Sequence, residues 1–267
     1  MFAGTNTPAD LQFLQRGSAL TSLLGEDTAP RRWRSDPPAR PAEAPLLPPG
    51  RMTVVVKGVV DLVVGLLLVI PAAPILLLCA ALVKLTSRGP VFYSQVRLGK
   101  DGREFRIYKI RSMTHNCEKQ SGIRWSTAGD PRVTFIGRIL RATHLDELPQ
   151  LWNILKGDMS LIGPRPERPE IVAQLEKAIP GYRDRLLVRP GVTGLAQIQL
   201  PPDTDLESVR RKVACDRSYI RHLGWWFDVR ILALTALHVF GVPCHRLCRL
   251  LLPRGARAAA AFAAPHC

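Results

Sequence analysis

Acidic side chains are scarce in this chain. Against 37 Lys and Arg stand 22 Asp and Glu, leaving a formal charge of +15. The pI is near 10.3. An excess this large demands an anionic partner: nucleic acid, an anionic membrane surface, or phosphorylated substrates. Cysteine is sparse as well. Cys79, Cys117, Cys215, Cys244, Cys248 and Cys267 lack the dense, regular spacing of a secreted disulfide scaffold. Reduced thiols and a cytoplasmic soluble part are therefore expected. Cys244, His245 and Cys248 are three metal-ligand types at close spacing, a weak signal for a metal site. No apolar core stands near the start, so a secretory signal is not expected there.

The length of 267 residues suits one globular domain of about 150 residues plus extra segments. Residues 1–50 are Pro-rich and read as a disordered tail, with room for a short helix at Asp10–Leu24. From Leu62 to Val83 there is no charged residue. About 20 apolar residues suffice to cross a bilayer, so residues 51–88 are expected to form a membrane-inserted helix. Pro71 and Pro74 sit near its middle. Each removes a backbone donor and crowds the preceding turn, which predicts a sharp bend. The residues leave two outcomes open: a kinked span, or a helix that bends back so that both ends stay on one face. Arg51 and Lys57 on one side, and Lys84 and Arg88 on the other, give no positive-inside asymmetry.

Beyond the apolar run, Gly89–Arg97 and Glu104–Arg111 read as a β-hairpin around the Gly-bounded turn Leu98–Gly102. Lys109 and Arg111 share one face of the second strand, and Arg106 lies on the other. Residues 115–130 read as a loop. Helices are expected over Thr134–His144, Asp146–Leu155, Pro169–Ala178 and Leu206–His222, with Pro149 in the first turn of the second. Leu195–Leu200 reads as a short strand after a turn-rich Val188–Gly194. Gly224–Arg230, with two tryptophans, precedes the apolar Ile231–Phe240, which is too short to span. A helix at the membrane interface and a core helix both fit it. Residues 242–267 form a basic tail, suited to anionic headgroups or to disorder. The fold class is α+β: a small, mostly helical catalytic domain with a β-hairpin over 89–241, anchored by the membrane helix.

Asp146 and Glu147 are adjacent carboxylates inside a basic stretch. Helical neighbours point about 100° apart, so two roles are expected of them. An Asp carboxylate is an established nucleophile at phosphorus, giving an acyl phosphate. A Mg²⁺ ion held by Asp146 and Glu147 would neutralise charge that repels such a nucleophile. Arg141 lies five residues before Asp146, about 1.4 helical turns. Arg165 and Arg168 stand in the Pro-rich turn Gly163–Pro169, and an arginine fork suits phosphate oxygens. Lys109 and Arg111 join them as candidate phosphate ligands. Taken singly, each of these groups also fits a solvated turn or a surface salt bridge.

Together these motifs resemble the bacterial sugar transferase family, the monotopic polyprenyl-phosphate phosphoglycosyl transferases that initiate exopolysaccharide and O-antigen synthesis. The resemblance covers roughly residues 52–241. It is carried by Gly89–Gly99, Tyr108-Lys-Ile-Arg-Ser-Met113, Asp130-Pro-Arg-Val-Thr134, Gly137–Arg141, Leu145-Asp-Glu-Leu-Pro-Gln150, Trp152–Pro166 and Arg189-Pro-Gly-Val-Thr-Gly-Leu-Ala-Gln197. It implies transfer of a sugar-1-phosphate from a nucleotide diphosphate sugar, by family default a UDP-sugar, to polyprenyl phosphate. It also implies Mg²⁺ dependence and a place on the cytoplasmic face of the inner membrane. Asp146 matches the family nucleophile, Glu147 its dyad partner, and Arg141 and Arg165 the phosphate-binding arginines. The apolar segment matches a re-entrant helix.

Two departures stand out. Ala73-Pro74 occupies the helix break where the family often has Ser-Pro, and His144 stands where a small hydroxylated residue is usual. Expected partners are the two substrates and membrane lipids, with a homo-oligomer left open. Nucleic acid is not expected, since only charge speaks for it. The alternative reading is an inactive relative acting as a scaffold subunit.

Overall fold

The structure is a computed structural model that describes residues 46–117, 129–203, 205–239 and 251–253. The expected N-terminal tail up to residue 45, most of the 115–130 loop, the Cys244–Cys248 cluster and most of the basic tail lie outside the described residues.

The apolar run folds as α1, Arg51–Thr86, with Pro71 and Pro74 both inside it. The two prolines therefore do not end the helix. A proline removes one donor and crowds one turn, which bends a helix without terminating it. Straight, 36 residues would extend about 54 Å. Both ends of α1 dock on one globular body. Near the N-terminal end, the buried Asp61 accepts from Ser160 Oγ at 3.0 Å and Leu161 N at 3.1 Å. Lys57 Nζ donates to Asp228 Oδ2 at 2.5 Å, and Gly65 meets Ile154 and Leu155. Near the C-terminal end, Cys79 and Val83 pack with Ile110 and Leu140. Between these anchors Leu66, Leu67 and Ile70 are exposed, an apolar surface that no described residue covers.

Strand β1, Phe92–Leu98, pairs antiparallel with β2, Glu104–Ile110, from Phe92↔Ile110 to Leu98↔Glu104. The 3-10 turn Lys100–Gly102 joins them, as the glycines predict. Helix α2, Phe135–Ala142, starts at Thr134, whose side chain accepts from Gly137 N. It does not continue into the dyad. His144 takes the left-handed conformation at φ 57°, and Leu145–Glu147 form a separate 3-10 turn. Helix α3 then runs Gln150–Lys156, with Pro149 at its N-cap and Gly157 ending it at φ 81°. The continuous helix expected over Asp146–Leu155 is thus two pieces.

Strands β3, Ser160–Ile162, and β4, Gly191–Thr193, pair in parallel. Helix α4 covers Pro169–Ala178, α5 Leu195–Gln199, α6 Leu206–Arg221 and α7 Trp225–Val239. The strand expected at Leu195–Leu200 is helical, and the strand lies in the segment read as turns. Leu195, Ala196 and Ile198 are buried on a helical spacing, and a short apolar run does not separate the two periods.

The main core joins Ile107 of β2, Ile154 of α3, β3, α5, Tyr219 and Ile220 of α6, and Phe227, Ile231 and Leu234 of α7. Of the two readings of the last helix, α7 bears out the core one. One stripe is core, while Trp225 and Trp226 are 52% and 62% exposed. A second core holds Leu98, Val172, Ile179, Tyr182, Val209 and Val213. These two cores and the hairpin position the dyad.

Candidate active site

Three elements converge on Asp146 and Glu147: the end of β2, the C-terminal turn of α2, and the turn between β3 and α4. Both carboxylates are buried, at 7% and 8% exposure. Because they sit on a 3-10 turn after a left-handed residue, their directions are set by that turn rather than by an α-helix. Glu147 is clamped. Lys109 Nζ donates to its Oε1 at 2.7 Å. Arg165 donates to Oε2 at 3.3 Å through Nη1 and to Oε1 through Nη2. Asp146 differs. Among the described residues it has no hydrogen bond or ion pair, although the charges of Lys109, Arg141 and Arg165 all reach it.

The two carboxyls are consequently pushed apart. Burial raises the Asp146 carboxyl, and neighbouring Glu147 adds to the rise, against the lowering by Lys109, Arg141 and Arg165. Burial acts on Glu147 in the same sense, but Arg165 and Lys109 outweigh it and hold that carboxyl well below the usual range. Burial and the Arg165 charge lower the Lys109 ammonium, partly offset by Glu147. A permanently ionised Glu147 beside a less acidic Asp146 is the division of roles that adjacent carboxylates need.

Arg165 is held by backbone as well as by charge. Arg185 Nη2 donates to the Arg165 carbonyl at 2.9 Å, and Gly191 N donates to the Pro164 carbonyl at 2.9 Å. Arg97 Nη1 donates to the Pro166 carbonyl at 3.2 Å. Arg185 is itself buried and ion-paired with Asp216 at 2.8 Å. At the turn's base, Gly163 and Gly191 lie so close that a Cβ on either would strike the other strand's backbone. Arg141 comes from α2, and its Nε donates to Ser112 Oγ at 2.8 Å. That contact needs Gly137, where any Cβ would overlap the Ser112 carbonyl.

The expected residues thus separate. Asp146, Glu147, Lys109, Arg165 and Arg141 come together. Arg111 does not join them through any hydrogen bond. It donates to the carbonyls of Ser87 and Arg88 and to Ser87 Oγ, capping the C-terminal end of α1. Arg168 pairs with Glu170 at 3.5 Å and adds its charge to that of Arg97. His144 is exposed. Ser112, Arg185 and Asp216 carry roles that the residue pattern did not assign. Arg185 and Asp216 sit 31 residues apart in charged segments that look like solvated surface.

Any Mg²⁺ would be taken by hard oxygen ligands. Asp146 fits, being a buried carboxylate with no direct partner. Glu147 is less suited, because its oxygens already accept from Lys109 and Arg165. No cluster of three or more His, Cys, Asp or Glu suited to a metal occurs among the described residues. The remaining oxygens would have to come from a phosphorylated substrate, the usual situation for Mg²⁺.

One helix is long and apolar enough to cross a membrane, and it docks on a body that holds a buried carboxylate pair beside arginine and lysine. Residues 52–242 match the model of the bacterial sugar transferase family, and the chain belongs to it. It is 44% identical over 180 residues to the UDP-N-acetylgalactosamine-undecaprenyl-phosphate N-acetylgalactosaminephosphotransferase of Aeromonas hydrophila, covering 67% of this chain and 42% of that one. It is 43% identical over 191 residues to the UDP-glucose:undecaprenyl-phosphate glucose-1-phosphate transferase of Klebsiella pneumoniae, covering 71% and 41%. It is 40% identical over 191 residues to the exopolysaccharide production protein PSS of Rhizobium leguminosarum bv. phaseoli, covering 70% and 96%. The chain spans about two fifths of the length of the first two relatives.

Proposed function

We propose that this protein transfers a sugar-1-phosphate from a UDP-sugar to undecaprenyl phosphate, the first step of a polysaccharide or glycoconjugate pathway. The observation that carries the reading is Asp146: a buried carboxylate without a direct partner, inside the field of three cations. The relatives' activities point the same way.

In the first step an Asp146 oxygen attacks the phosphorus that carries the sugar. The bond from that phosphorus to the bridging oxygen breaks, and uridine monophosphate leaves with the electron pair. The product on the enzyme is an acyl phosphate bearing the sugar. In the second step a phosphate oxygen of undecaprenyl phosphate attacks the same phosphorus. The bond to Asp146 breaks, and the carboxylate is regenerated. Arg141, Arg165 and Lys109 offset the charge of the diphosphate, and Glu147 orients Arg165 and Lys109. Arg111 caps α1 and Arg168 pairs with Glu170, so neither is given a phosphate to hold. A bound Mg²⁺ on Asp146 would supply charge neutralisation between the nucleophile and the diphosphate.

We place the catalytic domain on the cytoplasmic face of the inner membrane, with α1 entering and leaving on that face. The docking of both ends of α1 on one body supports this, as do its basic flanks. Pro71 and Pro74 make the bend.

The test is release of uridine monophosphate in nanodiscs, with undecaprenyl phosphate and a panel of UDP-sugars. We expect release with one sugar, and a loss on the order of 10³-fold or more in Asp146→Asn. Intact-mass analysis should show a sugar-phosphate adduct in wild type alone. Equal release in both proteins would remove Asp146 as nucleophile. Folded protein that turns over no sugar would favour the scaffold reading.

A further inference from the structure

A shallow cleft lies at the N-terminal foot of α1, at the opposite end of the hairpin from the dyad. Lys109 pairs with Tyr93, and Lys100 lies seven residues beyond Tyr93, so roughly 20 Å of strand separates the two regions. The cleft has an apolar wall of Pro49, Val54, Leu187, Val188 and Leu223. Its polar side is Lys57, Asp61, Lys100 and Arg189.

Two of these four groups are already engaged. Lys57 pairs with Asp228 at 2.5 Å and lies 4.0 Å from Asp61. Asp61 Oδ1 takes Ser160 Oγ and Leu161 N, while its Oδ2 is buried without a hydrogen-bond partner beside Lys57. The other two are different. Neither the Lys100 ammonium nor the Arg189 guanidinium has a hydrogen bond or ion pair among the described residues. Elsewhere the cations drawn into the domain are paired, as Arg185 is with Asp216 and Lys212 with Glu167 and Asp203. Arg189 also lies directly over the helix. A Cβ on Gly58 would stand 3.3 Å from its Nη1, and one on Gly157 3.9 Å from its Nη2. The glycines leave the guanidinium room against α1, where it faces the cleft with no counter-charge of its own.

We propose that this cleft binds the phosphate of a membrane phospholipid headgroup, with Lys100 and Arg189 as its ligands. Guanidinium and ammonium groups are the ordinary phosphate ligands. The source is decided by the wall. Val54 continues along α1 into the exposed Val55, Val59 and Leu62, an apolar strip beside the cationic mouth. A soluble phosphate has no use for that strip, whereas an acyl chain does. Basic groups where a helix enters the membrane are also where anionic headgroups concentrate. The proposal rests on α1 being membrane-inserted, and not on the chemistry at Asp146. Its effect would be to fix the depth of the first end of α1.

The test is native mass spectrometry of the full chain in detergent, with phosphatidylglycerol, diacylglycerol and inorganic phosphate as separate probes. We expect phosphatidylglycerol adducts on wild type and on Asp146→Asn alike, which separates this site from turnover. The K100Q/R189Q variant should lose occupancy about tenfold, and K100R/R189K should keep it. K177Q/R210Q, which removes cations from helix surfaces elsewhere, should bind as wild type does. Equal occupancy in wild type and K100Q/R189Q would overturn the proposal. Inorganic phosphate binding as tightly as phosphatidylglycerol, with the same dependence on Lys100 and Arg189, would overturn the lipid as its source. If K100Q/R189Q fails to fold, K100Q alone decides, since Lys100 lies in a turn, and unchanged adducts there would overturn Lys100 as a ligand.

Discussion

Asp146 and Glu147 are neighbours in sequence with opposite electrostatic fates, and the cause is who holds each one. Glu147 faces Lys109 and Arg165 at hydrogen-bond distance, so its negative charge is stabilised in place. Asp146 is buried with the same cations at longer range, and burial dominates. As a nucleophile Asp146 must be ionised, so activity should fall as pH drops through a value above the ordinary Asp range. Replacing Glu147 by Gln removes a like charge and frees Lys109 and Arg165 to act on Asp146. Both changes favour the carboxylate. The acid limb of the pH–rate profile should therefore move to lower pH in Glu147→Gln, even as the maximal rate falls. The profile of uridine monophosphate release checks this, and an acid limb moved upward would mean that Glu147 does not raise Asp146.

Among the elements, the turn Gly163–Arg168 depends on its supports. Arg185, on the 3-10 turn Tyr182–Leu187, holds the Arg165 carbonyl and is ion-paired with Asp216 of α6. Both side chains are almost fully buried. Removing one partner of such a pair costs about 3–5 kcal/mol, because a charge is left buried without its counter-charge. Asp216→Leu should lower stability by about that amount, read as a shift of the urea midpoint. It should also raise the KM for the nucleotide sugar, since Arg165 would lose its fixed carbonyl. An unchanged midpoint would mean that water or another group replaces Asp216. At the other support, Arg111 ties the end of β2, the strand bearing Lys109, to the end of α1.

For the whole molecule, the docking of both ends of α1 on one body favours the same-face topology proposed above. Met52 and Leu85 are exposed near its two ends, at 76% and 83%. With cysteine placed at either position, a membrane-impermeant maleimide should label only from the cytoplasmic side. Replacing Pro71 and Pro74 by Ala restores two backbone donors and straightens the helix. In that variant one of the two labels should become accessible from the periplasmic side. Labels on opposite sides in the unaltered helix would instead make α1 a spanning helix.

Much of this was legible in the residues. The apolar run, the hairpin with its Gly-bounded turn, and α4 and α6 follow from local patterns. Of the two arginines in the Pro-rich turn, Arg165 pairs with Glu147, whereas Arg168 turns to Glu170. Local chemistry also determined the N-cap at Thr134 and the stop at Gly157. Contacts distant in sequence decided the rest. His144 in the left-handed region separates α2 from the dyad, and the helix expected over Asp146–Leu155 is divided between a 3-10 turn at Leu145–Glu147 and α3. Leu195–Gln199 became helical because its apolar residues are buried together on one side. Lys109 and Arg111 are two residues apart on one strand face, yet one reaches Glu147 and the other the end of α1. No local pattern separates them, since each partner is brought in by another element. Sequence by itself determined which side chains carry charge, which segment is apolar, and which carboxylates and cations were candidates for one site. Only the tertiary structure decided which carboxylate is clamped and which is left without a partner, because burial and counter-charge depend on the packing of remote segments.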